Sequence, residues 1–193
     1  LLAMYDTPAL AHELLAIATQ AIRDVIRAQQ RWAGDPSLIL LNEALPVPGA
    51  GLILWDDYIS VISPDLHREF CLPYNERLYR EFGRGHLHTC GPYFAGYLDA
   101  ALAHAGVRTV DIPSYLRGTS RMRADMLELR RRATARGVAL AGGLDEWAVL
   151  NTGKPVPPDE AFVRQMAAGG LLWRAGGTRE QGLEYLEWAK RAG

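Results

Sequence analysis

Five short apolar runs alternating with helix-like segments predict an α/β chain of parallel strands, and three observations point to part of a (β/α)8 barrel. The strands are short and almost wholly apolar, as strands covered on both faces are. No glycine-rich nucleotide fingerprint follows any of them, which weakens the open doubly wound sheet as the alternative. The chemically reactive residues come just after the strands: Asp56 and Asp57, Cys90, Asp111, Asp145 and the pair Gly176–Gly177. A barrel gathers its active site at that carboxyl face. A complete barrel takes roughly 250 residues and eight strands, whereas this chain offers about five βα units. The expectation is therefore an incomplete barrel, residues 1–193 forming the C-terminal portion of one domain, with further strands before Leu1. The first residue being Leu rather than Met agrees with that expectation.

The elements follow in order. Thr7 with Pro8 opens a helix, because proline fits the first helical position. Leu10, Leu14, Ile17, Ala18, Ala21, Val25 and Ile26 repeat through it at helical spacing until Gly34–Asp35–Pro36 ends it. The stretch to Gly51 is rich in Pro and Gly and reads as a loop with one short strand at Leu38–Leu41. Leu52–Trp55 is the first strand of the α/β rhythm. Ser63–Pro64 caps a helix carrying Leu66, Phe70, Tyr74 and Leu78, kinked by Pro73 and stopped by Gly83. His86–Cys90 is the second strand. Gly91–Pro92 opens a helix with Phe94, Leu98, Ala101 and Leu102, ended by Gly106. Val107–Ile112 is the third strand. A helix with Met122, Met126, Leu127 and Ala133 runs to Gly137, and Val138–Ala141 is the fourth strand. Residues 159–168 form another helix, and Leu171–Trp173 is the fifth strand. Thr178 with Gln181 makes a capping box for the last helix.

Composition excludes several classes. Twenty-one Lys and Arg against 22 Asp and Glu leave a net charge of −1, so bulk charge does not recruit nucleic acid. The longest basic run is Arg130–Arg131–Arg132. Two cysteines make no disulfide framework, so a reducing cytoplasm is expected. The longest apolar stretch, Leu38 to Trp55, holds Glu43, Pro46 and Pro48 and predicts no membrane span; no signal peptide opens the chain.

His86-Leu87-His88-Thr89-Cys90-Gly91 is the most distinctive string. Alternate strand residues share a face about 7 Å apart, so His86, His88 and Cys90 project together. Nitrogen and thiolate donors at that spacing can converge on zinc, with Gly91 allowing a substrate to approach the backbone. A buried cysteine beside a hydrogen-bonded histidine satisfies the same string. Asp56 and Asp57 point to opposite faces, and Asp57, nearer the loop, is read as facing the barrel mouth. There it would orient substrate, transfer a proton or bind metal, unless it caps the following helix. Asp111 carries the same two readings, and Asp145 either caps the next helix or touches substrate. Cys71 reads as core. His12, His67 and His104 read as surface residues on helices, and Trp55 and Trp173 as packing.

Trp55-Asp56-Asp57, then Ser63-Pro64-Asp65-Leu66-His67-Arg68-Glu69-Phe70-Cys71-Leu72-Pro73-Tyr74, then Gly142-Gly143-Leu144-Asp145, resembles the uroporphyrinogen decarboxylase superfamily. The resemblance covers most of the chain and about the C-terminal half of a full member, which is a single (β/α)8 barrel. One branch removes carboxylates from a tetrapyrrole without a cofactor, as in porphyrin biosynthesis. The other uses zinc to activate a thiol that takes a methyl group from a corrinoid protein. His88-x-Cys90-Gly91 is similar to the zinc branch. The resemblance then implies His88 and Cys90 as zinc ligands; Asp57, where the decarboxylases often carry Ser or Thr, is expected as the catalytic residue, with Gly91, Asp111, Asp145 and Arg174 against a small-molecule substrate. It also implies a homodimer. The branch's third ligand, a cysteine near the last strand, is missing from Trp173-Arg174-Ala175-Gly176-Gly177, as is the decarboxylases' histidine in that region. Arg117 and Arg174 would serve a carboxylate substrate in the decarboxylase reading. A non-catalytic half-barrel is the third reading.

Overall fold

In a computed structural model the described residues are 1–35, 51–89, 97–111, 120–141 and 171–172, with the helical positions 179, 180, 183, 187 and 190. At 60, 97–98, 111, 120–126 and 171–172 the description is of backbone alone. The chain divides into two compact units, Leu1–His88 with Ala95–Arg108, and Thr89–Phe94 with Thr109–Gly193.

The first unit opens with α1 (Leu2–Asp6), a turn of helix the sequence reading omits, and α2 (Pro8–Ala33). Pro8 occupies the first turn of α2, and Gly34 ends it in the left-handed conformation at φ 67°. Most of the apolar repeat that marks α2 in the sequence lies off the face it packs with, and only Ile26 belongs to both. Leu10, Leu14, Ile17 and Val25 are exposed, whereas Ala11, Thr19 and Ile26 are buried. The packed face is held partly by polar contacts. The His12 ring stacks on Phe70 at 4.5 Å, and Arg23 and Arg27 both bind Glu81.

β1 (Ile53–Trp55) runs parallel to β2 (Gly85–His88), with Ile53 opposite His86, Leu54 opposite Leu87 and Trp55 opposite His88. Between them lie a 3-10 turn (Asp57–Ser60), α3 (Pro64–Phe70) and α4 (Leu72–Phe82). The Ser63 hydroxyl accepts from the Leu66 amide, the N-cap read from the sequence. The single kinked helix expected through Pro73 is two helices. A proline ring inside a helix clashes with the carbonyl four residues earlier, so α3 stops at Phe70 and proline takes the first turn of α4 instead. α5 (Tyr97–Ala103) follows β2 in this unit. Leu52, Leu54, Ile59, Phe70, Leu78, Tyr79 and Leu87 form its core with Ile26.

β3 (Val107–Asp111) passes into the second unit, where it pairs in parallel with β4 (Ala139–Ala141), and β4 with β5 (Leu171–Leu172). α6 (Ser120–Ala135) joins β3 to β4, burying Leu129 and Ala133. Gly137 makes the turn at φ 65°. Arg130 is buried, donating to the Val138 carbonyl at 2.9 Å and to Thr134, while Arg131 pairs with Glu128. The short basic run is thus absorbed into helix structure rather than spread as a charged patch.

Parallel pairing with intervening helices makes the fold α/β. Each observed strand falls within a sequence-predicted run except that β2 begins one residue early, at Gly85. The expected strand at Leu38–Leu41, the helix at 159–168 and the cap Thr178–Gln181 lie outside the described residues. No helix among the described residues is long and apolar enough to cross a membrane.

Gly85 sits where β1 and β2 meet closely; a Cβ there would lie 1.7 Å from the Leu52 carbonyl oxygen. Gly85→Ala therefore has to part the two strands, because the neighbour is backbone and cannot yield. Leu87→Ala, which opens a cavity at a fully buried site, is expected to cost about 2–5 kcal/mol in urea unfolding, with Gly85→Ala at least as damaging.

Candidate functional site

β1 ends at Trp55, and the next residue, Asp56, donates its amide to the His88 carbonyl at 2.9 Å. This last rung turns the Asp56 side chain inward, 5% exposed, and leaves Asp57 exposed in the 3-10 turn. The sequence assigns Asp57 to the barrel mouth; the side chain the structure buries is that of Asp56, which continues the alternation of Leu52 and Leu54 and turns toward α3 and α4.

Two helices supply partners to that carboxylate, and a histidine just past a third joins through one of them. His67 of α3 brings Nε2 to 2.8 Å from Asp56 Oδ2. Asn75 of α4 donates one Nδ2 hydrogen to the same oxygen at 2.7 Å and the other to His104 Nε2 at 3.2 Å. His104, just past α5, turns Nδ1 toward the carbonyls of Ala100 and Ala101, at 3.1 and 3.3 Å. That pattern assigns the tautomer: Nδ1 carries the proton and Nε2 is the acceptor. Burial, then the neighbouring His67, lowers the His104 pKa below its usual 6.5, which keeps the ring neutral. The rings of His67 and His104 meet edge-on at 5.4 Å.

His67 is 1% and His104 3% exposed, so neither is the surface residue its helix position suggests. The missed signal is periodicity. His67 falls on the same stripe as Phe70, Cys71 and Leu78, and His104 lies three and four residues past buried Ala101 and Ala100. Among the described residues Asp56, His67 and His104 are the group able to offer three metal ligands, all within 4.8 Å of one another.

Of the sequence-predicted site residues, Asp57, His88 and Asp111 are among those described. His88 closes β2 at its carboxyl end, half-buried, its ring 4.1 Å from that of Trp55 and 6.3 Å from that of His86. His86 is 2% exposed, and its carbonyl accepts from the Tyr79 hydroxyl at 2.9 Å. Burial, with the Asp56 and Glu76 charges, raises the Tyr79 phenol's pKa, so it stays a donor. Trp55, read as packing, is 44% exposed. Asp111 ends β3 opposite Ala141, in the second unit. Cys90, Gly91, Arg117, Asp145 and Arg174 lie outside the described residues. No family model, curated protein or solved structure matches the chain.

The lowered His104 pKa fixes the sign of a pH dependence. Below 6.5 the unfolded chain takes up a proton that the folded protein refuses, so stability is lost as pH falls from 6.5 toward the folded value. The urea midpoint should be lower at about pH 5.5 than at about pH 7.5, and His104→Gln should flatten that slope. Asn75→Leu strips the carboxylate of a donor and should cost about 1–3 kcal/mol at neutral pH, read in the same unfolding experiment.

Proposed function

We propose that the chain is an enzyme of the uroporphyrinogen decarboxylase superfamily, in its zinc-dependent methyl-transfer branch, acting at the carboxyl end of the strands of a (β/α)8 barrel. One observation supports this most directly. His88, the imidazole of His88-x-Cys90-Gly91, stands at the carboxyl end of a parallel strand and is only half covered. The fit can be judged on the described part of the motif. His88 is partly exposed at the strand end whereas His86, two residues earlier, is buried, so the reading takes His88 rather than His86 as the histidine beside Cys90.

Zinc held there would keep a bound thiol ionised at neutral pH, ready to attack an electrophilic methyl carbon. The chain's own residues do the rest. The Trp55 ring against His88 restricts how the imidazole can turn. Asp57, exposed beside the same strand end, orients the incoming thiol and receives its proton. The resemblance assigns Gly91, Asp111, Asp145 and Arg174 to a small-molecule substrate. The methyl donor is a corrinoid carried by a partner protein.

Purified protein is expected to carry zinc at this motif and to lose it in Cys90→Ser and in His88→Ala, with unchanged far-UV circular dichroism and no methyl transfer to a thiol acceptor. Protein that never binds zinc and releases carbon dioxide from uroporphyrinogen would instead establish the decarboxylase chemistry.

A further inference from the structure

Asp56, His67 and His104 are buried without any role in the chemistry proposed at His88 and Cys90. They come from three separate stretches of the first unit, the end of β1, α3 and the residue after α5, and their donor atoms meet within 4.8 Å. We infer that they form a second site, for a divalent transition-metal ion such as zinc or cobalt(II), independent of the His88–Cys90 reading.

Three features carry this. The donor set is two imidazoles and one carboxylate, the mixture such ions take in three-ligand sites that keep a fourth position for water or substrate. Bonds of about 2.0–2.2 Å in a tetrahedron set ligand atoms about 3.3 Å apart. The present spread, from 2.8 Å between His67 and Asp56 up to the 4.8 Å limit, brackets that separation. The outer contacts are also those a metal centre requires. His104 holds its Nδ1 hydrogen on backbone carbonyls, which aims the Nε2 lone pair into the cluster. Asn75 steadies Asp56 Oδ2. Finally, the cluster holds one carboxylate and two imidazoles, so a dication offsets a buried negative charge. On binding, the neutral His67 ring carries its hydrogen on Nδ1 and offers Nε2 to the ion, and Asn75 keeps its bond to Asp56 while releasing His104 Nε2.

The experiment uses the whole chain carrying Cys90→Ser, so that the thiolate site cannot contribute. Cobalt(II) is titrated in and followed by visible absorption and by thermal unfolding. The expected result is one cobalt per chain, tetrahedral d–d bands without a thiolate charge-transfer band, and a raised Tm. His104→Gln and His67→Gln should each weaken binding by at least 10-fold. Absence of binding in the Cys90→Ser protein overturns the inference, as does binding that survives both histidine variants. The spectrum of the Cys90→Ser protein decides the question even where a histidine variant fails to fold. Loss of zinc activity at His88–Cys90 leaves this result untouched.

Discussion

The first unit is organised around one buried carboxylate. Removing a carboxylate from water costs several kcal/mol unless polar groups replace the lost hydration. Asp56 has two such groups, His67 and Asn75, and a third residue, His104, is drawn in through Asn75. Because these side chains come from α3, α4 and the residue just after α5, the position of Asp56 constrains where these segments can dock. The backbone of the same residue fixes the last rung to β2. Strand pairing and helix packing in this unit are thus coupled through a single position.

A second set of contacts lies beneath that cluster. Tyr79 crosses from α4 to hold the His86 carbonyl, and its ring lies so close to Gly106 that a Cβ there would stand 2.3 Å from the tyrosine Cβ. The Gly106 carbonyl in turn accepts from the Gly85 amide at 2.9 Å. Two glycines and one aromatic therefore bring β2 and the turn into β3 into register. Neither glycine is there for an unusual backbone angle. Both are there because no atom fits.

Much of this fold is legible in the sequence, because alternating apolar runs, prolines and glycines act locally. Pro8, Ser63, Gly34, Gly83 and Gly137 each mark an observed boundary. The helix break at Pro73 was legible as a disturbance but not as a full stop, since that depends on whether the next turn can restart. The candidate metal cluster was hidden for a different reason. Histidine at a helix position is polar by type, and only its place on an apolar stripe betrays burial. The burial of Asp56 depends on how far one strand pairs with another, a fact about partners rather than about the residue itself. The face of α2 was misleading in the opposite way: its most regular stripe is the exposed one, while the packed face mixes alanine, threonine, histidine and arginine.

Cys71, in the break between α3 and α4, gives the molecule a silent thiol. Burial, with the Asp56 charge beside it, pushes its pKa up to about 12, so near neutrality only about one part in 10⁵ is the nucleophilic thiolate. The chain has just two cysteines. Alkylating reagents added to the native protein are therefore blind to one of them, and whatever label the folded chain takes up reports on Cys90 without any need to mutate its counterpart.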